Sequence, residues 1–534
     1  MDKKNTGSYY TPQYLADFIS QRVISFFQSD SSISILEPSV GDGAFIDSLI
    51  KYRNSNIKLT ATEINEEELN KALKKWNNKK ANFYKIDFLE FKQKEKFSSI
   101  IGNPPYVRKN RLTEKQIELC KEIHISENLS EASVKNIWTT FLIKSHTLLL
   151  NNGVLAFVLP SELLQVKFAE EVREYLRNHF ERIEIFTFND LMFECKGQDT
   201  IVLFAYKKHI DKGEFFTNIH SKEVLQENSF VLRKNNILVE SKVKWTHHFL
   251  TSEELEFLDK LKQELKNVGE YCESKPGIVT AANNFFIITK EIEDKYQLSN
   301  YTIPIIQKGL FVNGGIVFNE EDLLQLEVLK YPTKLLQLTD TDIISKNLKD
   351  YLDLGEELKI PARYKCKIRN KWYVIPNISD KPDAFFFKRC HFYPKLLINN
   401  SEAFVTDSAY KVKINKNYDL NSFIFSFYNS LTLVFSEIEG RYYGGGVLEL
   451  TPSEFKRLPI PYLQITSDQF SSLVKDFKNK KNIDQILSRY DNENLNKTLK
   501  LNNEEVKKIQ DIRIKLINKR MRNQLKRLEI LLQE

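Results

Sequence analysis

A segment of four residues, Asn103-Pro104-Pro105-Tyr106, combines side chains that suit chemistry on a planar amino group. Proline holds φ near about −65° and has no N–H, so we expect the carbonyl groups of this segment to keep a fixed direction. Two oxygen acceptors could grip an exocyclic amine while an exposed aromatic ring stacks on the base. The segment therefore indicates methyl transfer to a base nitrogen, although an Asn-Pro-Pro turn can also simply end a strand.

A glycine-containing turn lies upstream, between a predicted strand that ends at Glu37 and a predicted helix. Gly41 and Gly43 lack a Cβ, so a ligand could approach the backbone closely. Ile46 replaces the third glycine of the dinucleotide fingerprint, and no Walker lysine follows the turn. Glu37 and Asp42 would repel phosphate, which favours a cationic or hydroxyl-rich ligand.

Acidic residues close the next two predicted strands. Strand 57–63 ends at Glu63, followed by Ile64, where Rossmann-like folds bind ribose hydroxyls. Strand 81–86 is followed by Asp87 and Phe88, which could offer a carboxylate and a ring to an adenine. Each acid could be a solvated strand end, but three in order within a βαβ alternation favour a nucleoside-like cofactor.

The segment Tyr10-Thr11-Pro12 precedes a predicted amphipathic helix over residues 13–27. Thr11 could cap this helix, with Pro12 in its first turn. Alternatively, its hydroxyl and backbone could close over the amino-acid end of the cofactor.

With these residues assembled, the chain resembles the gamma-order, Taq-type DNA adenine-N6 methyltransferases of restriction–modification systems. The resemblance is carried by Tyr10-Thr11-Pro12, Leu36-Glu37-Pro38, Gly41, Gly43, Glu63, Asp87-Phe88, Asn103-Pro104-Pro105-Tyr106, residues 153–160 and Phe193. It implies S-adenosyl-L-methionine as methyl donor, and the residues implied to bind it are Tyr10, Thr11, Pro12, Glu37, Pro38, Gly41, Gly43, Glu63, Ile64, Asp87, Phe88 and Asn103. It also implies double-stranded DNA as partner, with Phe193 stacking on the face of the flipped base opposite Tyr106. Ser39-Val40, before Gly41, departs from the commonest form of the family.

The chemistry of the adenine N6 nitrogen predicts the roles of Asn103 and Pro104. The adenine N6 lone pair is delocalised into the ring, so we expect the Asn103 side-chain oxygen and the Pro104 carbonyl to accept from a more tetrahedral nitrogen. The target base must first leave the duplex stack. Two alternatives stay open: methyltransferases of a protein glutamine amide use the same tetrapeptide, and cytosine-N4 enzymes more often carry Ser at the position of Asn103.

Strands and helices alternate from about residue 32 to 206, which predicts an α/β domain with a mostly parallel sheet. By resemblance, this is the Rossmann-like class I S-adenosylmethionine-dependent methyltransferase fold of seven strands, the last (199–206) antiparallel. An amphipathic helix is expected at about 141–150. We expect a catalytic domain over 1–240, an α+β target-recognition domain over 241–465, and a basic helical segment over 466–534 packed on the recognition domain.

Cations occur at every second residue between 363 and 371, and an extended strand would place them on one face toward DNA phosphates. They are Arg363, Lys365, Lys367, Arg369 and Lys371. The alternative is a solvated edge strand protected by lysines. Arg441 and Tyr442 precede a glycine-rich segment that could approach DNA, though a structural turn explains it nearly as well. The C-terminal helix should present a basic face, formed by Lys515, Lys519, Arg520, Arg522, Lys526 and Arg527.

Composition limits which other classes of protein the sequence could represent. The net charge of +7 over 534 residues is modest, and the five cysteines include no C-x-x-C pair, which favours neither a zinc site nor a disulfide framework. No apolar run is long enough to span a membrane, so a cytoplasmic protein is expected. Asp383 and Lys388 give only a fragment of a nuclease pattern, so we expect neither DNA cleavage nor a catalytic metal. A monomer on DNA and a separately encoded cognate endonuclease are further expectations.

Overall fold

The computed structural model describes residues 11–27, 32–52, 56–76, 81–188, 199–235, 244–312, 314–376, 378, 380–442, 446–479 and 482–521. The chain divides into two compact units. The first comprises Met1–Leu255, Tyr443–Gly446 and Met521–Glu534, and the second comprises Glu256–Tyr442 and Val447–Arg520. The boundaries expected at residues 240 and 465 stay predictions.

The first unit is built on a nine-stranded sheet with the order β3-β2-β1-β4-β5-β7-β6-β8-β9. Its strands are β1 (Ile33–Glu37), β2 (Ile57–Glu63), β3 (Ala81–Lys85), β4 (Phe97–Gly102), β5 (Leu149–Pro160), β6 (Arg182–Phe188), β7 (Thr200–Tyr206), β8 (Gly213–Ile219) and β9 (Arg233–Lys234). Its helices are α1 (Gln13–Phe26), α2 (Ala44–Ile50), α3 (Glu66–Lys75), α4 (Glu114–Ser126), α5 (Ile137–Thr147), α6 (Glu162–Gln165), α7 (Glu170–His179) and α8 (Lys222–Gln226).

Strands β1 to β5 pair in parallel, and β7 runs antiparallel to both β5 and β6. This confirms the predicted α/β fold with its antiparallel strand, and β8 and β9 extend the sheet beyond the seven strands expected. Apolar residues cover both faces of the sheet. Neighbouring residues of β4 show this directly, since Ile100 joins one hydrophobic core and Ile101 the other. Burial on both faces is complete in the inner strands β6 and β7, in which every residue is buried, whereas the edge strands β3 and β9 are largely exposed.

The position of β1 decides where a ligand can bind. From β1 the chain runs outward to β2 and β3, and then returns to place β4 on the other side of β1. The carboxyl ends of β1 and β4 therefore meet at a topological switch point, where open α/β sheets bind ligands. Glu37 ends β1, and Asn103 directly follows β4.

The helix expected at 141–150 is α5, and its predicted amphipathic character is wrong. Nearly every residue from Ile137 to His146 is buried, including Lys144. The charge is tolerated because the Lys144 ammonium donates to the Leu89 carbonyl at 2.7 Å.

The second unit combines small sheets with many helices. Its main sheet has the order β11-β20-β16-β18-β14, and a four-stranded sheet has the order β12-β15-β13-β19. The strands are β10 (Lys266–Asn267), β11 (Cys272–Pro276), β12 (Ile287–Ile288), β13 (Thr302–Ile306), β14 (Val317–Asn319), β15 (Lys334–Leu336), β16 (Ala384–Phe387), β17 (Arg389–Cys390), β18 (Lys395–Asn400), β19 (Phe404–Val405), β20 (Ala409–Ile414), β21 (Arg441–Tyr442), β22 (Leu448–Glu449) and β23 (Pro459–Ile460).

The remaining helices are α9 (Ser252–Gln263), α10 (Val268–Tyr271), α11 (Asn283–Phe286), α12 (Lys290–Lys295), α13 (Glu320–Val328), α14 (Lys346–Glu357), α15 (Tyr364–Lys367), α16 (Leu420–Phe427), α17 (Ser430–Glu439), α18 (Pro452–Lys456), α19 (Ser467–Lys478), α20 (Ile483–Leu499) and α21 (Asn503–Met521). Among the described residues, none of the helices of either unit combines the length and the apolar character that crossing a bilayer requires.

Candidate active site

The segment Asn103-Pro104-Pro105-Tyr106 leaves the end of β4, a strand whose six residues are all buried. The Tyr106 hydroxyl donates to the Asn103 Oδ1 atom at 2.8 Å and also lies 3.1 Å from the Val158 carbonyl oxygen. The expected exposure of the Tyr106 ring is wrong, because the residue is 8 % exposed and belongs to the core on one face of the sheet. Its hydroxyl orients the Asn103 amide and holds its oxygen as an acceptor.

The loop after β1 supports this segment directly. The Ser39 hydroxyl donates to the Asn103 carbonyl at 3.2 Å. A Cβ at Gly102 would lie 3.4 Å from the Pro38 ring, so glycine lets the proline pack closely against the end of β4. Ser39, at which the sequence departs from the commonest form of the family, therefore joins the two loops.

Gly41 and Gly43 both take left-handed backbone conformations, with φ of 52° and 82°. Gly43 precedes α2 as its N-cap, where a side chain would be strained. The Gly41 N–H donates to the Glu63 Oε2 atom at 3.0 Å, and the Asn65 N–H donates to Oε1 at 2.9 Å. Since a carboxylate has about four acceptor positions, Glu63 can hold this turn and still accept hydrogen bonds from a ligand.

Glu37 has a buried carboxyl group that the surrounding residues do not fully stabilise. It is 1 % exposed, and its Oε2 atom has no hydrogen-bond partner among the described residues. Burial, followed by the nearby charges of Asp42 and Glu63, raises the pKa of Glu37 well above its usual value. A cationic ligand at this end of the sheet would relieve both costs.

Asp87 and Phe88 lie in a turn that two helices hold in place. Asp87 accepts from the Leu89 N–H at 2.9 Å and from the Gln116 amide at 2.8 Å. Lys144 donates to the Leu89 carbonyl and lies 5.1 Å from the centre of the Phe88 ring. Burial lowers the pKa of Lys144 to about 8. The Phe88 ring is 2 % exposed, and its contact with an adenine stays a prediction.

Sequence reasoning missed Gln116 and Lys144. Thr113 and Gln116 form a capping box at the start of α4, and that spacing is visible in the sequence. It predicts a helix terminus rather than a support for Asp87. Nothing in the sequence pattern around Lys144 indicates that its charge turns inward.

The N-terminal residues are placed only in part. Pro12 is the N-cap of α1 and no side chain caps this helix, so of the two interpretations of Thr11 the capping role does not hold. Thr11 is buried, and Ile64 is 62 % exposed beside Glu63. Tyr10 and Phe193 lie outside the described residues.

The structure changes the local setting of several residues that were expected to contact DNA. Residues 363–371 contain a short helix rather than a strand, so their cations do not share one strand face. Arg441 lies in β21, 3.6 Å from the Glu454 carboxylate, and Tyr442 is 9 % exposed. Arg520 of the C-terminal helix is buried and pairs through two nitrogens with Glu437, at 2.7 Å each. It is therefore unavailable to a DNA backbone, and residues 522–534 lie outside the described residues.

Comparison with known proteins gives matches in both units. Residues 23–193 match the family model described as Eco57I restriction-modification methylase, and residues 242–495 match the model described as Type II methyltransferase M.Eco57I, C-terminal domain. Type II methyltransferase M.AccI of Acinetobacter calcoaceticus is 22 % identical over 519 residues, which cover 92 % of this chain and 93 % of that protein. Type II methyltransferase M.HincII of Haemophilus influenzae is 30 % identical over 226 residues, 42 % of each chain.

One solved structure extends the likeness to the whole fold. The Type IIL restriction–modification enzyme MmeI, solved in complex with DNA, superposes with a TM-score of 0.56 at 13 % identity. The superposition covers 97 % of this chain and 77 % of that one. At this identity the likeness shows a shared fold.

Proposed function

We propose that this protein, which belongs to the Type II DNA methyltransferases of restriction–modification systems, methylates the N6 amino group of adenine in double-stranded DNA with S-adenosyl-L-methionine as donor. The observation that carries the proposal is the position of Asn103. Its side-chain oxygen lies at the end of a fully buried strand, and its carbonyl is held by the loop that follows β1.

The residues at the end of β1 fit this donor. S-adenosyl-L-methionine supplies a methyl group on a positively charged sulfur, and it also carries an ammonium group. The buried Glu37 carboxyl group, with an oxygen that lacks a partner among the described residues, suits a cation. Glu63 and Asp87 would accept from the ribose hydroxyls and the adenine amine, and the turn at Gly41 and Gly43 leaves room for the ligand beside the backbone. Tyr10, Thr11, Pro12, Pro38, Ile64 and Phe88 complete the proposed donor site.

Asn103 and Pro104 act on the target amine. The Asn103 Oδ1 atom already accepts a hydrogen bond from the Tyr106 hydroxyl, so the incoming amino group replaces that donor. A second bond to the Pro104 carbonyl draws the nitrogen toward a tetrahedral geometry, in which its lone pair becomes available. Alignment with the methyl group then provides much of the remaining rate.

Tyr106 and Phe193 stack on opposite faces of the flipped adenine in this proposal. Because the Tyr106 ring is buried in the described structure, stacking requires the ring to turn toward the base. Release of its hydroxyl from Asn103 accompanies that movement. The proposed enzyme acts as a monomer in the cytoplasm, alongside a separately encoded endonuclease.

The names of the relatives favour DNA over a protein glutamine as substrate, since M.AccI and M.HincII are Type II methyltransferases. Cytosine N4 is the remaining alternative target. The test uses S-adenosyl-L-methionine labelled in its methyl group and genomic DNA free of base methylation, followed by digestion to nucleosides. Label should appear in N6-methyladenine. Label only in N4-methylcytosine would correct the target base, and the absence of label in DNA would refute the proposal.

Asn103→Asp tests the role of the amide. We expect transfer to fall by at least about 100-fold, on the scale of losing a preorganised hydrogen-bonding group, while the dissociation constant of the donor changes little. Asn228→Asp, the same change at an exposed turn of the same unit, is the matched control and should keep full activity. Normal turnover in Asn103→Asp would contradict the mechanism.

A further inference from the structure

The segment 363–368, which we call the basic turn, exposes cations and apolar side chains together. Tyr364 is 78 % exposed and Ile368 is 68 % exposed. Four residues apart on a helical backbone, they project from neighbouring positions. Arg363, Lys365 and Lys367 are also exposed. Exposure of a large aromatic and a large aliphatic side chain at one place is costly in water and indicates a binding surface.

Buried contacts fix the basic turn to the second unit. Cys366, in the middle of α15, is fully buried in a hydrophobic core. The Arg369 guanidinium donates to the carbonyl groups of Val279, Thr280 and Trp372, at 3.3, 2.9 and 3.2 Å. Arg369 is therefore a structural anchor rather than a DNA contact, and it holds the preceding turn in a defined orientation.

The cations of the basic turn are available to a partner. Lys365, Lys367 and Arg363 form no ion pair with the residues that the structure describes, and the Arg363 guanidinium donates to the Ala281 carbonyl at 3.4 Å. A surface that offers uncompensated positive charge beside large apolar side chains matches duplex DNA, whose phosphates attract lysine and whose base edges accept apolar contact in a groove.

A second exposed apolar patch differs from the basic turn in the charge of its neighbours. Leu324 and Val328 of α13 are 57 % and 81 % exposed. They lie on the same helix as Glu320, Glu321 and Glu327. This patch has acidic neighbours, so it would repel a phosphate backbone and offers a matched control.

We propose that the basic turn contacts DNA, with Tyr364 and Ile368 against the bases and Lys365 and Lys367 against the flanking phosphates. This inference rests on the proposed function, because it takes DNA as the substrate, and it assigns a specific contact surface to the second unit. Side chains that contact bases contribute to the choice of sequence, whereas side chains that contact phosphates do not.

The test is a binding titration of the full-length protein at several salt concentrations. The probes are unmethylated genomic DNA fragments, a short duplex that contains the site mapped in genomic DNA from the transferred methyl label, and a duplex of equal composition with that site scrambled. Tyr364→Ala should weaken binding to the site duplex by about 10-fold or more, on the scale of losing one base-pair contact, without changing the slope of affinity against salt. Lys365→Gln and Lys367→Gln should each weaken both duplexes and lower that slope by about 1.

Val328→Ala removes an equally exposed apolar side chain from the acidic patch and should leave DNA binding unchanged. Donor affinity and the unfolding temperature of every variant verify that the fold is kept. If Tyr364→Ala binds the site duplex as tightly as Val328→Ala does, the basic turn is not a DNA surface. Binding of DNA that depends on Tyr364, in a protein that transfers no methyl group, would support this surface and refute only the proposed reaction.

Discussion

Replacement of Glu37 by glutamine should raise the stability of the donor-free protein and weaken its binding of the methyl donor. The carboxyl group is 1 % exposed, one of its oxygens has no partner among the described residues, and Asp42 and Glu63 lie close enough to raise its pKa. Glu37→Gln keeps the shape and a polar end but cannot ionise, so near neutral pH the donor-free protein should gain free energy of unfolding, by about 1.4 kcal/mol for each unit by which the pKa of Glu37 is raised.

The gain in free energy of unfolding should become larger as pH rises. Because the pKa of Glu37 is raised in the folded protein, the folded state holds the carboxyl proton where the unfolded chain has released it. The contribution of this group to stability is thus present at low pH and is lost as pH rises through the folded pKa. The difference between Glu37→Gln and the natural protein should widen as pH increases.

Donor affinity should change in the opposite direction. A hydrogen bond to a charged group contributes about 1.5–3 kcal/mol, so its loss should weaken S-adenosyl-L-methionine binding by about 10- to 100-fold. Isothermal titration calorimetry measures the affinity, and urea denaturation measures the stability. Glu67→Gln, at an exposed position of α3, is the control. Unchanged donor affinity in Glu37→Gln would refute the assignment of this carboxyl group to a cationic ligand.

Three further changes test other parts of the structure. Tyr106→Phe removes the donor to Asn103 and should lower the free energy of unfolding by about 1 kcal/mol in urea denaturation while retaining transfer, because the ring remains; complete loss of transfer would contradict this. Burial lowers the pKa of His124 from 6.5 to about 4, so stability should fall by about 3 kcal/mol as pH drops through this range, and His124→Gln should flatten the profile. Gly277→Ala would place a Cβ 2.2 Å from the Thr406 carbonyl oxygen, and thermal unfolding should show a loss of about 3 kcal/mol or more; an unchanged unfolding temperature would show that the backbone yields there.

The central sheet was predictable because its signals are local. Acidic residues mark the ends of three strands, since β1 and β2 end at Glu37 and Glu63 and Asp87 follows β3 by two residues, and the βα alternation predicts parallel pairing. The proximity of the first loop to Asn103 follows from the order of the strands once the fold is identified.

The errors arose where tertiary contacts override local pattern. Cations at every second residue suggested a strand, but burial of Cys366 and the backbone contacts of Arg369 stabilise a helical turn. The stacking role assigned to Tyr106 suggested an exposed ring, yet the ring is buried, and Asn103 and a neighbouring strand supply partners for its hydroxyl. Lys144 suggested a solvated helix face, and a carbonyl 55 residues earlier in the chain satisfies it instead. None of these partners is visible from sequence spacing.

The hydrogen bond from Ser39 to the Asn103 carbonyl has a thermodynamic consequence. One loop touches the methyl donor in the proposed arrangement, and the other touches the acceptor, so this hydrogen bond transmits strain from either loop to the other. Coupling between two binding equilibria is reciprocal. A donor analogue that shifts this serine would change the affinity for DNA by some factor, and DNA would change the affinity for that analogue by the same factor.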